Sequence, residues 1–155
     1  PATARLKTRG IEAMGQRDNL SLIAEDLGAR KLEDILQTNE LWDQSARTVI
    51  IAEGLVMYLA AEAVENLFCQ CAEVAGKGSR IAFSYIPSGA DGRLDAGRWT
   101  GLMLWLQKVA GEPWIWCIRP EELGPFLETT GWTNTPAVAG TPRKQGVEFY
   151  AVATK

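Results

Sequence analysis

Residues 48–52 (TVIIA) constrain the fold of this chain more than any other stretch. They form a nearly continuous run of β-branched residues, which is typical of a strand that is buried on both faces of a sheet. The strand is expected to end at Glu53 and Gly54. Residues 61–75 then repeat apolar positions with the period of a helix, so a helix is expected to follow this strand.

The other segments continue the alternation of strands and helices. Residues 19–24 (NLSLIA) alternate like a strand and lead to the acidic pair Glu25 and Asp26. The further predictions are helices at 2–14, 31–37, 98–110 and 120–129, a strand at 80–86, an extended lid at 112–118, and a closing antiparallel pair of strands at 132–138 and 147–153. This order predicts an α/β sheet with crossover helices, in a single domain over residues 1–155.

Composition narrows the class of protein. The chain has 155 residues, is 46% hydrophobic and carries a net charge of −3, which is usual for a soluble globular domain. Acidic and basic residues are spread along it, so neither nucleic acid nor a membrane is expected as a partner. It has no histidine, and its three cysteines show no C-x-x-C spacing, so no metal site is expected. No apolar run reaches the roughly 20 residues of a membrane helix, and a cytoplasmic protein is expected.

Two predicted strand ends carry acidic residues. In open α/β sheets ligands bind outside the carboxyl ends of the strands, where Asp26, with Leu27 beside it, and Glu53 are expected. A carboxylate there can accept hydrogen bonds from an amino, hydroxyl or ammonium group of a ligand. The alternative for Asp26 is that it begins a turn and caps a helix. An unrelated nucleotide-binding protein would place acidic residues in the same way, although the sequence has no G-x-G-x-x-G turn.

Residues 46–68 (ARTVIIAEGLVMYLAAEAVENLF) resemble the E-G-x-x-M-Y-L segment of the leucine carboxyl methyltransferase family and its bacterial relatives. PATARLKTRG resembles the family's basic helix after its second strand, and LIAEDL resembles its third strand. GSRIAFSYI, GEPWIW and RPEELGPFLETTGW resemble its fifth strand, lid and late helix. The resemblance implies an incomplete Rossmann-like class I methyltransferase sheet with flanking helices and a C-terminal antiparallel strand pair, and S-adenosyl-L-methionine as the cofactor.

The resemblance also implies site residues. In the family, the residue matching Asp26, with Leu27 beside it, lines the adenine end of S-adenosyl-L-methionine, and the residue matching Glu53 lies near its methionine part. Tyr58 matches the motif tyrosine and either contacts the ligand or packs under the helix. Three aromatic residues are expected at the substrate, or else only cover the core: Tyr85, Trp114 and Trp116. The implied reaction is methyl transfer to a carboxylate or hydroxyl of a small molecule or peptide end.

The resemblance starts only after the family's second strand. The family's glycine-rich cofactor loop and second-strand carboxylate have no counterpart, so impaired cofactor binding is expected. Three explanations stay open: a fragment of a longer enzyme, a natural truncated product that forms a homodimer to complete its sheet, or a rearranged fold. The strand at 19–24 would lack its neighbours, and such an edge invites association. The alternative function is therefore a non-catalytic truncated methyltransferase remnant acting as a dimerising interaction module.

Overall fold

The computed structural model describes residues 2–15, 17–27, 29–95, 100–135 and 147–155 of the chain. The chain divides into two compact units, Pro1–Asp43 and Gln44–Lys155. The single domain over residues 1–155 stays a prediction. Among the described residues, no helix is long and apolar enough to cross a membrane.

The first unit contains two helices in its described part. Helix α1 spans Ala2–Met14 and helix α2 spans Leu32–Leu36, which confirms both predicted helices. The prediction of a strand at 19–24 is wrong, because residues 20–26 have no regular secondary structure. A strand needs a neighbour that pairs with its backbone N–H and C=O groups, and the described part of this unit offers none. The exposed apolar side chains of this segment are Leu20, Leu22 and Ile23.

The second unit is built on a mixed four-stranded sheet. Its strands are β1 (Val49–Ala52), β2 (Arg80–Tyr85), β3 (Thr133–Asn134) and β4 (Phe149–Thr154). They lie in the order β1-β2-β4-β3. β1 and β2 are parallel, and β4 runs antiparallel to both β2 and β3. The predicted α/β sheet and its closing antiparallel pair are confirmed, while positions 136–138 of the strand predicted at 132–138 lie outside the described residues.

β1 is an edge strand of this sheet, and its two faces differ. Ala52 is buried, whereas Val49 and Ile51 on the opposite face are 67% and 71% exposed. The expectation of a strand buried on both faces is therefore wrong for the described structure. A β-branched run favours a strand but does not say which of its faces are covered, because coverage depends on the elements that pack there.

The α-helices described in the second unit lie close to their predicted bounds, while positions 98 and 99 of the helix predicted at 98–110 lie outside the described residues. They are α3 (Ala61–Val74), α4 (Thr100–Val109) and α5 (Leu123–Thr129). A 3-10 helix that the sequence did not predict, Val56–Tyr58, precedes α3. α3 is followed by Gly76, where an added Cβ would lie 2.7 Å from the Ala46 carbonyl oxygen. Glycine allows this close approach, so the connection from α3 to β2 packs against the segment that enters β1.

The core of the second unit forms around Phe68 of α3. The Phe68 ring meets the rings of Phe83 in β2 and Phe126 in α5 edge-on, at centroid distances of 4.9 and 5.2 Å. The buried Trp132 indole donates from Nε1 to the Phe68 carbonyl oxygen at 3.0 Å. These contacts hold α3 and α5 on the sheet and so fix the strand ends described next.

Candidate functional site

The turn after β1 places Glu53 at the carboxyl end of that strand. Gly54 has a φ of +61°, a left-handed conformation that favours glycine. Its N–H donates to the Oγ of Ser84 at 2.8 Å, and Ser84 is fully buried in β2. A Cβ added at Gly54 would meet no described atom within 4 Å. The turn is therefore held against β2 with open space in front of its backbone, which is what a ligand site beside Glu53 needs.

Tyr150 contacts Glu53 from across the sheet. It lies in β4, opposite Ser84 in the register of β2, and its hydroxyl donates to Glu53 Oε1 at 3.3 Å. Partial removal from water, together with the Glu53 and Glu148 carboxylates, raises the pKa of Tyr150 above its usual value. Sequence patterns did not single out Tyr150, because it is 97 residues from Glu53 and only the pairing of β2 with β4 brings the two together.

A cavity of about 570 Å³, named the Tyr58 cavity, lies beside this turn. Its size falls within the range of small-molecule pockets. Tyr58 is half-buried and packs against the buried side chains of Met57, Ile86 and Trp114 while it also lines the cavity. Both roles considered for this tyrosine, packing and ligand contact, are therefore compatible with its position. The lining residues are Gly54, Tyr58, Gly111, Glu112, Pro113 and Ile115.

The predicted lid is extended and tied to the 3-10 helix. The N–H groups of Ile115 and Trp116 donate to the Met57 carbonyl oxygen at 2.8 and 3.2 Å. Trp114 is buried against Met57, and its indole Nε1 finds no acceptor among the described residues. Trp116 is buried as well, with its ring 5.7 Å from that of Phe126. These contacts hold the lid in place as one wall of the Tyr58 cavity.

Tyr85 is buried at the end of β2. Its ring centroid lies 6.0 Å from that of Phe83 and 5.8 Å from that of Phe149, and burial raises the pKa of its hydroxyl. Core packing accounts for the burial of Tyr85, Trp114 and Trp116. Their expected contact with substrate stays a prediction.

Asp26 and Leu27 lie in the first unit. The Asp26 carbonyl oxygen accepts a hydrogen bond from the N–H of Ala29 at 3.0 Å, so this residue does begin a turn. It does not cap α2, whose N-cap is Lys31. The Leu27 side chain is exposed. Because Asp26 and Glu53 belong to different units, their contact with one cofactor stays a prediction.

The loop after β2 borders a second cavity, of about 670 Å³. The loop folds back on itself, since the N–H of Gly89 donates to the Arg93 carbonyl oxygen at 2.8 Å. Cys117 of the lid lines this cavity, and burial, followed by the Asp91 carboxylate, raises the pKa of its thiol. The thiol is thus not activated as a nucleophile. In the described ranges, no group of three or more His, Cys, Asp or Glu side chains could hold a metal ion.

Proteins with similar sequences are methyltransferases by name. Residues 1–72 match the family model of leucine carboxyl methyltransferase. A protein of Frankia alni, provisionally named an S-adenosyl-L-methionine-dependent methyltransferase, is 30% identical over 102 residues, which are 64% of this chain and 35% of that protein. A protein of Mycolicibacterium paratuberculosis with the same provisional description is 31% identical over 88 residues, which are 57% of this chain and 31% of that protein. The matched part of the chain thus spans about a third of the length of these curated relatives.

The fold also has counterparts among solved structures. An O-methyltransferase family protein from Burkholderia thailandensis matches with a TM-score of 0.65 at 10% identity, covering 100% of this chain and 41% of that chain. The fold is that of the class I methyltransferases, of which the chain holds an incomplete Rossmann-like sheet. The match of residues 1–72, somewhat less than half of the chain, agrees with the similarity of the sequence to the leucine carboxyl methyltransferase family. The resemblance seen in the sequence is thereby confirmed.

Proposed function

We propose that this chain is the part of an S-adenosyl-L-methionine-dependent methyltransferase that contacts both the cofactor and the methyl acceptor. The reaction is methyl transfer to a carboxylate or hydroxyl of a small molecule or peptide end. The observation that carries the proposal is the turn at Glu53 and Gly54, which follows β1 and is anchored on Ser84, and whose Gly54 lines the Tyr58 cavity. The names of the two relatives support the cofactor.

The residues at this turn fit the cofactor chemically. The Glu53 carboxylate can accept hydrogen bonds from the ammonium group of the methionine part, and the open glycine backbone beside it allows close approach. Asp26 and Leu27 contact the adenine end in this proposal. The cofactor's sulfonium supplies an already activated methyl group, so the main task of the protein is to hold the acceptor in line with it.

Calorimetric titration with S-adenosylhomocysteine, the demethylated product, tests the proposal without turnover. The wild-type chain is expected to bind, and Asp26→Asn and Glu53→Gln are each expected to weaken binding about fivefold or more, because each loses a charge-assisted hydrogen bond. Asp18→Asn and Glu128→Gln are matched controls, since they make the same charge change at other exposed positions. A wild-type chain that does not bind, or equal affinities in all five proteins, contradicts the proposal.

A second candidate function is a non-catalytic interaction module that dimerises through its sheet. The observation that favours it is the exposure of Val49 and Ile51 on the edge strand β1, since two such strands can pair and complete a sheet. Light scattering after gel filtration tests this function. The module is expected to be a homodimer that Ile51→Lys dissociates, and to give no heat with S-adenosylhomocysteine. A chain that stays monomeric as its concentration is raised contradicts it.

A further inference from the structure

Among the residues that the structure describes, the backbone that lines the Tyr58 cavity offers no free donor for an incoming group. Every N–H of the described lining already donates within the protein, at 2.8 to 3.2 Å, and Pro113 has no N–H. The acceptors are the Ser84 Oγ for Gly54, and the carbonyl oxygens of Leu55 for Tyr58, Lys108 for Gly111, Gln107 for Glu112 and Met57 for Ile115. An anionic group would therefore find no backbone nest in this lining.

The side chains that line the cavity also favour a group that donates a hydrogen bond over an anion. Glu112 brings an exposed carboxylate, which only accepts hydrogen bonds when it is ionised. The Tyr58 hydroxyl both donates and accepts. No lysine or arginine is among the described lining residues. A carboxylate that entered would meet the like charge of Glu112 without a compensating cation, whereas a hydroxyl would find an acceptor for its hydrogen.

We infer that the Tyr58 cavity selects a hydroxyl group, rather than a carboxylate, as the methyl acceptor, and that Glu112 and Tyr58 bind this hydroxyl. The inference rests on the proposed function and narrows its two acceptor classes to one. In the transfer, the acceptor oxygen forms a bond to the methyl carbon, and the carbon–sulfur bond breaks with its electron pair left on sulfur, giving S-adenosylhomocysteine. The acceptor proton passes to the Glu112 carboxylate and from there to water, because Glu112 is exposed.

Two matched probes test this inference by binding alone. Benzyl alcohol and benzoate share a ring and differ in the group that would accept the methyl. Titrations with each are followed through the amide resonances of Gly54, Gly111 and Ile115. The wild-type chain is expected to bind benzyl alcohol at least about fivefold more tightly than benzoate. Glu112→Gln removes the charge and adds an amide donor, so it is expected to tighten benzoate binding about threefold or more.

The control variant is Glu128→Gln, which removes the same charge at an exposed position outside the cavity lining and is expected to leave the ratio of affinities unchanged. Tighter or equal binding of benzoate by the wild-type chain overturns the inference, and so does the absence of amide shifts with both probes.

Calorimetry with S-adenosylhomocysteine decides the proposed function separately. A chain that binds this product but prefers benzoate keeps the proposed function and loses the inference. A chain that prefers benzyl alcohol but does not bind the product loses the proposed function, and with it the role of the hydroxyl as methyl acceptor.

Discussion

The Tyr150 hydroxyl donates a hydrogen bond to Glu53 Oε1 at 3.3 Å and thereby links the last strand of the chain to the turn after β1. β2 lies between β1, which leads into the Glu53 turn, and β4, which carries Tyr150, so the contact spans the sheet at the carboxyl ends of β1 and β2. It favours one orientation of the Glu53 carboxylate. Tyr150 is therefore a positioning residue for the carboxylate that is proposed to hold the methionine part of the cofactor.

Tyr150→Phe is expected to weaken the binding of S-adenosylhomocysteine about threefold, because Glu53 loses a hydrogen bond that orients it. Methylthioadenosine shares the nucleoside and the sulfur with this product but lacks its amino-acid part. It is expected to bind the wild-type chain and the variant equally. Calorimetry gives the four affinities, and an equal loss for both ligands would show that Tyr150 acts on the structure as a whole.

Tyrosine ionisation provides a pH test of the same contact. The pKa values of Tyr85 and Tyr150 lie above the usual 10.0, through burial at Tyr85 and through partial removal from water and the Glu53 carboxylate at Tyr150. The folded chain therefore holds these protons more tightly than the unfolded chain. The stability that results is complete below pH about 10 and is lost as the pH rises through the folded-state pKa values.

The titration is followed by the ultraviolet absorbance of the phenolate, with Tyr150→Phe used to assign the Tyr150 step. Glu53→Gln is expected to lower the pKa of Tyr150, because it removes a carboxylate that disfavours the phenolate. Glu128→Gln is expected to leave the curve unchanged. A Tyr150 pKa that Glu53→Gln does not move would contradict the contact.

Replacing each of two buried tryptophans by phenylalanine is expected to change the free energy of unfolding by different amounts. Trp132 donates to the Phe68 carbonyl oxygen, whereas Trp114 Nε1 has no acceptor in the described part of the chain. Trp132→Phe is expected to lower the free energy of unfolding by about 1–3 kcal/mol through the lost hydrogen bond, in addition to the loss of ring volume. Trp114→Phe also loses ring volume but removes an unsatisfied donor, so its cost is expected to be at least about 1 kcal/mol smaller. Urea denaturation measures both, and equal costs would contradict this difference.

Replacing each of two glycines by alanine is expected to change the stability of the chain in opposite directions. An added Cβ at Gly76 would lie 2.7 Å from the Ala46 carbonyl oxygen and 2.8 Å from that of Ser45, so Gly76→Ala is expected to cost about 1–3 kcal/mol of stability. Gly101 lies in α4, where an added Cβ meets nothing described within 4 Å. Gly101→Ala is expected to stabilise the chain by up to about 1 kcal/mol, because alanine favours the helix. Thermal unfolding gives the sign of each change, and an unchanged or higher melting temperature for Gly76→Ala would refute the close approach.

Local patterns predicted most of the elements of the second unit. The helix expected at 61–75 and the strand expected at 80–86 formed close to those bounds, because the period of the apolar positions is a property of a few consecutive residues. In the same way, the motif around Glu53 and Tyr58 indicated the turn after β1 and the tyrosine that lines the Tyr58 cavity. The contact of Tyr150 with Glu53 had no such local signal.

The sequence by itself determined the α-helices, the strand that precedes Glu53 and the resemblance to the leucine carboxyl methyltransferase family. Only the tertiary structure decided that residues 20–26 form no strand, that Val49 and Ile51 of β1 face outward, and that Glu112 joins Tyr58 at one cavity. The physical reason is that apolar periodicity states which side chains favour burial, whereas pairing and burial each need a partner that lies far along the chain.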